Sequence, residues 1–451
     1  MVLNFPFRRF LHFHVNGGML LMFTALLALV AANSPLNDAY QALWQHQIAL
    51  QIGGFNFFNH GGHPLTLMAF INDALMAIFF FSVGLEIKRE VLVGELSSFR
   101  KALLPIIAAC GGMILPVLIF FLITKGTPAV DGMAIPMATD IAFSLGVLSL
   151  FGKRVPLSLK IFLTAFAVVD DIGGVLVIAL FYTSHLDYNF LLYSAVLLAV
   201  LLLCNYRHVT NRRVYAIGGL VMWYFFMQSG IHATIAGVLV AFTVPATPRV
   251  QIGRFVKRIH ECIGFLPDDG RTSIILSHDQ IGALHNIKSV SNKVVSPLQS
   301  LEDMLHRPVN YFIMPLFAFA NAGVVLTNAA GGFDIGMLTL AVALGLIIGK
   351  FFGIYLFTWL VVKLRLASLG AGMTWKNLTG ICLLGGIGFT VSLFIANLSF
   401  GNEPILLNQA KMGVILGTVV SGILGYIVLS LTMPKEEITE DHQETVAHTA
   451  A

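Results

Sequence analysis

The chain has 451 residues, and only 11% of them are charged, against about 25% in an ordinary soluble domain. Hydrophobic residues make up 57% of the chain, which excludes a disordered chain and a disulfide scaffold. The net charge of +4 leaves no basic surface for a nucleic acid. The four cysteines are scattered without CxxC or metal spacing, which predicts free packed thiols. This composition predicts a polytopic membrane protein.

Twelve apolar stretches are long enough to cross a bilayer, which takes about 20 helical residues. They cover approximately 15–33, 65–85, 102–124, 130–150, 156–182, 189–205, 213–228, 230–246, 309–327, 335–362, 376–400 and 410–433. The N-terminal segment 1–14 could begin a signal peptide, but no clean cleavage site follows it, so we expect the first span to be retained. We therefore predict an all-α membrane protein with about twelve transmembrane helices.

Lys and Arg residues alternate strongly between the segments that connect these spans. One set of alternate segments, which includes both termini, holds 24 of these cations, and the other, external set holds two, Lys125 and Lys411. Lys350 alone is left, near the middle of the predicted span 335–362. By the positive-inside rule both termini and the long loop 247–308 are cytoplasmic.

Two segments are predicted to lie outside the bilayer. Residues 48–57, in the first external loop, alternate apolar and polar around Gly53-Gly54, which predicts a small β-hairpin. Its exposed edge could pair with a second copy of the chain, and an ordered loop cap is the alternative. The acidic tail 434–451 has little apolar content and is expected to be disordered.

Five ionisable residues fall where lipid should be: Asp73, Asp140, Asp170, Asp171 and Lys350. A charge near the bilayer centre costs at least about 2.5 kcal/mol, so each is a candidate functional residue. The alternative for each of them is a structural ion pair between two helices.

Asp170 and Asp171 are adjacent and point about 100° apart on a helix, so one can face a cavity while the other faces a neighbouring helix. Two carboxylates this close in a low-dielectric site cannot both stay ionised without a cation. Such a pair can take up protons or a small hard cation and exchange one for the other. Lys350 is the natural partner for one carboxylate, and the absence of His and Cys clusters argues against zinc or copper.

Spans four and eleven carry signals of helix interruption. Gly132 and Pro136 precede Thr139-Asp140, and span eleven contains the glycine-rich run 384–390. Interrupted helices in corresponding halves are typical of inverted-repeat transporters, although such glycines can also serve close helix packing. We expect core repeats at about 102–182 and 335–433, with interface helices at about 15–85 and 189–327. Asp140 and Lys350 would offset the ends of the half-helix dipoles.

Several motifs together resemble those of the bacterial NhaA-type sodium/proton antiporters. They are Asn72-Asp-Ala-Leu-Met-Ala77, Val83-Gly-Leu-Glu-Ile-Lys-Arg-Glu90, Ala138-Thr-Asp-Ile-Ala142, Val169-Asp-Asp-Ile172, Gly230-Ile-His-Ala-Thr234, Pro315-Leu-Phe-Ala-Phe-Ala-Asn-Ala-Gly323, Gly349-Lys350 and Gly385-Gly-Ile-Gly-Phe-Thr390. The resemblance implies that Asp170 and Asp171 bind Na⁺ or Li⁺ and protons. It also implies that Asp140, Thr139 and Lys350 balance the helix crossing, and that Lys350 pairs with Asp170 in one state.

The same resemblance implies a response to alkaline pH and a homodimer. The pH response would involve Glu86, Glu90, Glu302, His306 and His232, and the dimer would form through the periplasmic hairpin 48–57. One departure is the segment from about 250 to 300, which is longer than the family's usual loop. Within it, Ser296 is predicted to cap an amphipathic helix.

We therefore expect an electrogenic antiporter of the bacterial inner membrane that exports Na⁺ or Li⁺ in exchange for H⁺, without a cofactor. The alternative transporter is a sodium-coupled symporter for an organic solute, which would need a larger polar cavity. An intramembrane aspartic protease needs two Asp residues on different helices and the GxGD sequence, which is missing. A channel or structural protein is disfavoured by the paired carboxylates.

Overall fold

The computed structural model describes residues 17–49, 51–52, 55–56, 59–60, 63–182, 186–248, 250, 252–263, 278–326 and 335–433. The described residues are mainly helical. The expectations for the N-terminal segment 1–14 and the acidic tail 434–451 fall outside this part of the chain.

The helices of the first half form mostly from the apolar stretches. In chain order they are α1 (Gly17–Ala32), α2 (Asn37–Gln45), α3 (Leu67–Val93), α4 (Phe99–Thr124), α5 (Ile141–Ser149), α6 (Leu157–Phe181), α7 (Tyr188–Tyr206) and α8 (Arg212–Ser229). Short 3₁₀ helices cover Glu95–Ser97, Pro128–Gly132, Ile135–Met137 and Gly152–Arg154. Helix α2 lies in the predicted external loop, where the sequence pattern did not indicate a helix.

The second half continues in the same way. Its helices are α9 (Thr234–Thr243), α10 (Ile252–Ile263), α11 (His278–Val294), α12 (Pro297–Pro308), α13 (Met314–Asn321), α14 (Met337–Lys363), α15 (Trp375–Leu384), α16 (Phe389–Phe400) and α17 (Pro404–Thr432). The predicted cap of α12 is confirmed, because Ser296 Oγ accepts a hydrogen bond of 3.2 Å from the Gln299 N–H. Leu298 and Leu301 are buried on its apolar face.

Five short strands lie between α2 and α3: β1 (Gln47–Ile48), β2 (Gln51–Ile52), β3 (Phe55–Asn56), β4 (Asn59–His60) and β5 (His63–Thr66). The predicted hairpin is present, because β2 pairs antiparallel with β3 in the register Gln51↔Asn56 and Ile52↔Phe55. In addition, β5 pairs antiparallel with both β1 and β4.

Seven helices of the described residues are long and apolar enough to cross a membrane: α3, α4, α6, α7, α14, α15 together with α16, and α17. The number rises to nine if each of two bent pairs is one span. These pairs are α1 with α2, bent by 111°, and Pro128–Met137 with α5, bent by 44°. The chain is therefore a multi-pass membrane protein, while the count of twelve stays a prediction.

The close approach of α4 and α14 positions part of the site. A Cβ atom added to Gly353 would come within 2.2 Å of the Gly111 carbonyl oxygen, and one added to Gly111 within 2.3 Å of the Gly353 carbonyl oxygen. Only glycine allows two backbones to approach so closely. This contact lies one helical turn after Lys350 and brings that side chain into the protein interior.

Candidate functional site

Asp140 determines where α5 begins. The backbone is a 3₁₀ turn over Ile135–Met137 and then extended through Ala138 and Asp140. Asp140 Oδ1 accepts a hydrogen bond of 3.0 Å from the Phe143 N–H, which caps the new helix. The carboxylate therefore lies at the positive end of the α5 dipole.

The same residue also joins this segment to the glycine-rich stretch that separates α15 from α16. Asp140 Oδ2 accepts hydrogen bonds from the Thr390 N–H at 3.1 Å and the Thr390 Oγ1–H at 2.6 Å. The Asp140 N–H donates to the Ile387 carbonyl at 2.6 Å, and Thr139 Oγ1 donates to the Gly385 carbonyl at 2.8 Å. Backbone groups that leave regular helix within a membrane need such partners.

Asp170 on α6 forms an ion pair with Lys350 on α14. The Lys350 Nζ lies 2.6 Å from Asp170 Oδ2, and both side chains are fully buried. The other oxygen, Asp170 Oδ1, is also buried and has no hydrogen-bond partner among the described residues. The Phe166 ring lies 5.5 Å from the same ammonium group, a favourable cation–π distance.

Asp171, the next residue of α6, faces a cavity of about 540 Å³. Its side chain is 4% exposed, and no described residue forms a hydrogen bond or ion pair with it. The other polar and charged side chains that line this cavity include Glu86, Arg89, Thr139, Asp140, Glu302, His306 and Thr390. The two adjacent carboxylates therefore have different surroundings, and the cavity that Asp171 faces is also lined by Asp140, Thr139 and Thr390.

Acidic and basic side chains from α3 and α12 meet at this cavity. The Arg89 Nε lies 3.3 Å from Glu302 Oε1, and the Arg89 Nη2 lies 3.0 Å from Glu90 Oε1. The His306 Nε2 lies 3.2 Å from the Asn310 Nδ2. Of the predicted pH-response residues, Glu86, Glu302 and His306 line the cavity, and Glu90 is connected to it through Arg89.

Glu302, one of the acidic residues at this cavity, is partly buried, and this changes its pKa. Burial raises the pKa of the Glu302 carboxyl above its ordinary value. The Arg89 guanidinium opposes this effect, and the neighbouring Asp303 carboxylate adds to it. Because the net shift is upward, protonation of Glu302 extends to higher pH than for an exposed glutamate.

His232 does not line the cavity. Its Nε2 hydrogen-bonds to the carbonyl oxygen of Tyr182, the residue that follows the C-terminal end of α6. The Tyr182 hydroxyl in turn donates to the Asp131 carbonyl at 2.8 Å. His232 and the cavity residues are therefore separate groups in this structure.

Asp73 also lies away from the cavity, in a π-helical turn within α3. Its neighbour Asn72 accepts a hydrogen bond of 2.9 Å from the Asn321 side-chain amide. Asn321 accepts a hydrogen bond of 2.8 Å from the Asn397 side chain, so three asparagines link α3, α13 and α16. In the sequence, the only sign of these hydrogen-bonded asparagines is that each of them interrupts an otherwise apolar helix.

One sequence expectation is wrong: Lys350 is not the only cation inside the protein. Lys411, which we assigned to an external connection, is 7% exposed and lies in the third turn of α17. The error arises because α17 begins at Pro404, six residues before the start of the predicted span. No described residue forms a hydrogen bond or ion pair with the Lys411 side chain.

Comparisons with known proteins agree with one another over nearly the whole chain. The profile of the family described as Na⁺/H⁺ antiporter 1 matches residues 8–429. The Na⁺/H⁺ antiporter NhaA of Phocaeicola vulgatus is 66% identical over 438 residues, which cover 97% of this chain and 98% of that one. That of Bacteroides thetaiotaomicron is 58% identical over 429 residues, covering 95% and 97% of the two chains. That of Oleidesulfovibrio alaskensis is 43% identical over 434 residues, covering 96% and 95%.

Proposed function

The chain belongs to the Na⁺/H⁺ antiporter 1 family, and we propose that it exchanges Na⁺ for H⁺ across the bacterial inner membrane. It is a secondary transporter and not an enzyme. The observation that carries the proposal for the site is the unequal environment of two adjacent carboxylates. Asp170 is held by Lys350 in the protein interior, while Asp171 faces the cavity without a partner among the described residues.

Exchange follows from competition for these carboxylates. A protonated Asp171 has no charge to hold a cation, and a cation bound to its carboxylate excludes the proton. Na⁺ or Li⁺ arriving through the cavity would therefore displace the Asp171 proton, and a proton arriving from the other side would displace the cation. The oxygen atoms of Asp and Thr suit a small hard cation.

The Asp170–Lys350 pair belongs to the cation-free state of this cycle. A cation bound between Asp170 and Asp171 would compete with the ammonium group for the Asp170 carboxylate. Because two carboxylates would serve one monovalent cation, more protons than cations would move per cycle, which makes the exchange electrogenic. Lithium would be accepted because it is also a small hard cation.

The connection between the two broken segments would support alternating access. Asp140 accepts hydrogen bonds from the first turns of both α5 and α16, so its negative charge offsets two positive helix ends. We assign these segments to the interrupted helices of spans four and eleven. They would lie in inverted repeats at about 102–182 and 335–433 within a twelve-span protein whose termini are cytoplasmic.

Glu86, Glu90, Glu302 and His306 would form one pH-responsive group at the cytoplasmic mouth of the cavity, with His232 acting separately. The strands β2 and β3 would form a periplasmic dimer contact, because a short exposed edge can pair with its copy. Deleting 51–56 should then yield monomers on size-exclusion chromatography with light scattering.

Asp171→Asn tests the site. In everted vesicles, Na⁺-dependent dequenching of a pH-sensitive dye should be lost, because the amide cannot carry a proton or neutralise a cation. The expression level should not change, since no described residue pairs with Asp171. Asp131→Asn makes the same chemical change at an exposed position outside the cavity and should retain exchange.

Full dequenching in the Asp171→Asn vesicles would contradict the assignment of the ion site. The solute symporter makes a different prediction for the parent protein. A symporter would show no Na⁺-dependent proton movement until an organic solute was added. The same dye assay in solute-free buffer therefore separates the two transporters.

A further inference from the structure

Helix α10 lies in the loop that is longer than the family's usual connection, and it has two chemically distinct faces. At about 100° per residue, all its apolar side chains fall within an arc of about 120°. They are Ile252, Phe255, Val256, Ile259, Cys262 and Ile263. The opposite face carries Arg254, Lys257 and Arg258, with Glu261 as the single acidic residue.

Only one edge of the apolar arc is covered by the described part of the chain. Helix α10 packs against α11, and Phe255, Ile259 and Cys262 on that edge are partly buried. The other edge is a strip formed by Ile252, Val256 and Ile263, which are 72%, 48% and 53% exposed. On an amphipathic helix, an exposed apolar strip of this kind indicates an interaction surface whose partner lies outside the described residues.

The two ends of the loop are held next to the end of an apolar helix. The Leu298 N–H donates a hydrogen bond of 3.2 Å to the Pro245 carbonyl, just after α9 ends. The Lys88 ammonium donates to the Phe242 and Val244 carbonyls at 2.6 and 2.5 Å. Since α10 begins seven residues after Pro245, its first residue lies at most about 25 Å from this anchor.

The charge of the polar face then selects the partner. Arg254, Lys257 and Arg258 are exposed, and none of them forms an ion pair with a described residue. Basic side chains beside an apolar strip are typical of helices that lie in the plane of an anionic membrane. Each basic side chain near such a surface strengthens binding by roughly fivefold.

We propose that α10 lies on the membrane that the chain itself spans. Ile252, Val256 and Ile263 insert at the boundary between headgroups and acyl chains, and the basic side chains contact anionic phospholipid headgroups. The proposal depends on the chain being a membrane protein and not on the ions that it exchanges.

The test uses the full chain reconstituted into vesicles, with its four native cysteines replaced by alanine. An environment-sensitive fluorophore is attached at Ile263→Cys on the strip or, as the matched control, at Lys257→Cys on the polar face. In vesicles that contain phosphatidylglycerol, the strip probe should emit at shorter wavelength and be quenched by lipids with spin-labelled acyl chains. The control probe should instead be quenched by aqueous iodide.

Replacing Arg254, Lys257 and Arg258 by glutamine should reduce lipid quenching of the strip probe, and so should vesicles of phosphatidylcholine alone. Arg207→Gln, which removes an exposed cation elsewhere, should leave it unchanged. Proton exchange by each labelled protein reports that the variant is folded. In the unmodified chain, a photoactivatable phosphatidylglycerol should crosslink to the 252–263 peptide, which makes the test independent of the cysteine substitutions.

Two results would overturn the proposal. If iodide quenches the strip and control probes equally, the strip faces water. If the strip probe is protected from iodide but not quenched by lipid, protein covers the strip, either another segment of this chain or a second copy.

Discussion

The Lys350 ammonium lies 2.6 Å from the Asp170 carboxylate, and neither side chain is exposed to solvent. One residue further along α6, Asp171 faces a cavity and has no such partner among the described residues. A charge buried in a protein is tolerated when it is paired, and removing one partner leaves the other uncompensated. The pair is therefore both a structural contact between α6 and α14 and a competitor for any cation that binds Asp170.

Lys350→Met should destabilise the protein because it removes a buried charge, although it changes the packing volume little. The substitution leaves Asp170 buried without its cation, a change that costs about 3–5 kcal/mol in comparable buried pairs. We expect a lower unfolding temperature in detergent, measured by tryptophan fluorescence, together with loss of Na⁺-dependent proton exchange.

The double variant Lys350→Met/Asp170→Asn separates these two effects. It removes both charges, so most of the lost stability should return while exchange stays absent. A single variant as stable as the parent protein would show that the ion pair contributes nothing to the contact between the helices.

Thr390→Val should weaken the connection between the start of α16 and the residue that caps α5. It removes the 2.6 Å hydrogen bond from Thr390 Oγ1 to the Asp140 carboxylate, a charge-assisted bond that contributes about 1.5–3 kcal/mol. We expect a lower unfolding temperature and slower exchange in vesicles. Thr379→Val is the matched control, because that hydroxyl donates only to the Trp375 carbonyl within α15. Equal losses in both variants would argue against a special contribution from the hydrogen bond between Thr390 and Asp140.

Much of this site could be predicted from local sequence. The rotation of 100° per residue placed Asp170 and Asp171 on different sides of one helix. Gly132 and Pro136 preceded the 44° bend between Pro128–Met137 and α5, while the interruption of spans four and eleven stays a prediction. Both features depend on residues within a few positions of each other. The polar pattern of 48–57 likewise predicted the pairing of β2 with β3.

Contacts between distant segments could not be predicted in the same way. The hydrogen bond from Thr390 to Asp140 joins residues 250 positions apart, and the chain of Asn72, Asn321 and Asn397 crosses three helices. Lys411 was assigned to an external connection because its position relative to the helix depends on where α17 begins. In each case the partner or the burial arises from packing, and hydropathy along the chain does not encode it.

Glu302→Gln should flatten the dependence of stability on pH. Because the folded-state pKa of Glu302 is raised, its stabilising contribution is present below the ordinary value of 4.5 and is lost as pH rises through the raised value. Glutamine does not titrate, so the unfolding temperature of this variant should fall less than that of the parent above pH 4.5. The measurement is thermal unfolding in detergent across a pH series. Glu261→Gln, at an exposed position on α10, is the control and should follow the curve of the parent protein. If the curve of Glu302→Gln instead ran parallel to that of the parent, the Glu302 carboxyl would not titrate as stated.

Gly353→Ala should separate α4 from α14 and thereby disturb the position of Lys350. The added Cβ atom would lie 2.2 Å from the Gly111 carbonyl oxygen, which is backbone and cannot rotate away. Overpacking of this kind costs about 1–3 kcal/mol, so we expect a lower unfolding temperature and reduced exchange.

Gly174→Ala on α6 is the matched control, since its added Cβ would meet nothing within 4 Å. That control should be neutral or stabilising, by up to about 1 kcal/mol, because alanine favours helix over glycine. If both variants unfolded at the same temperature, the close contact between α4 and α14 would not be what positions Lys350 beside Asp170.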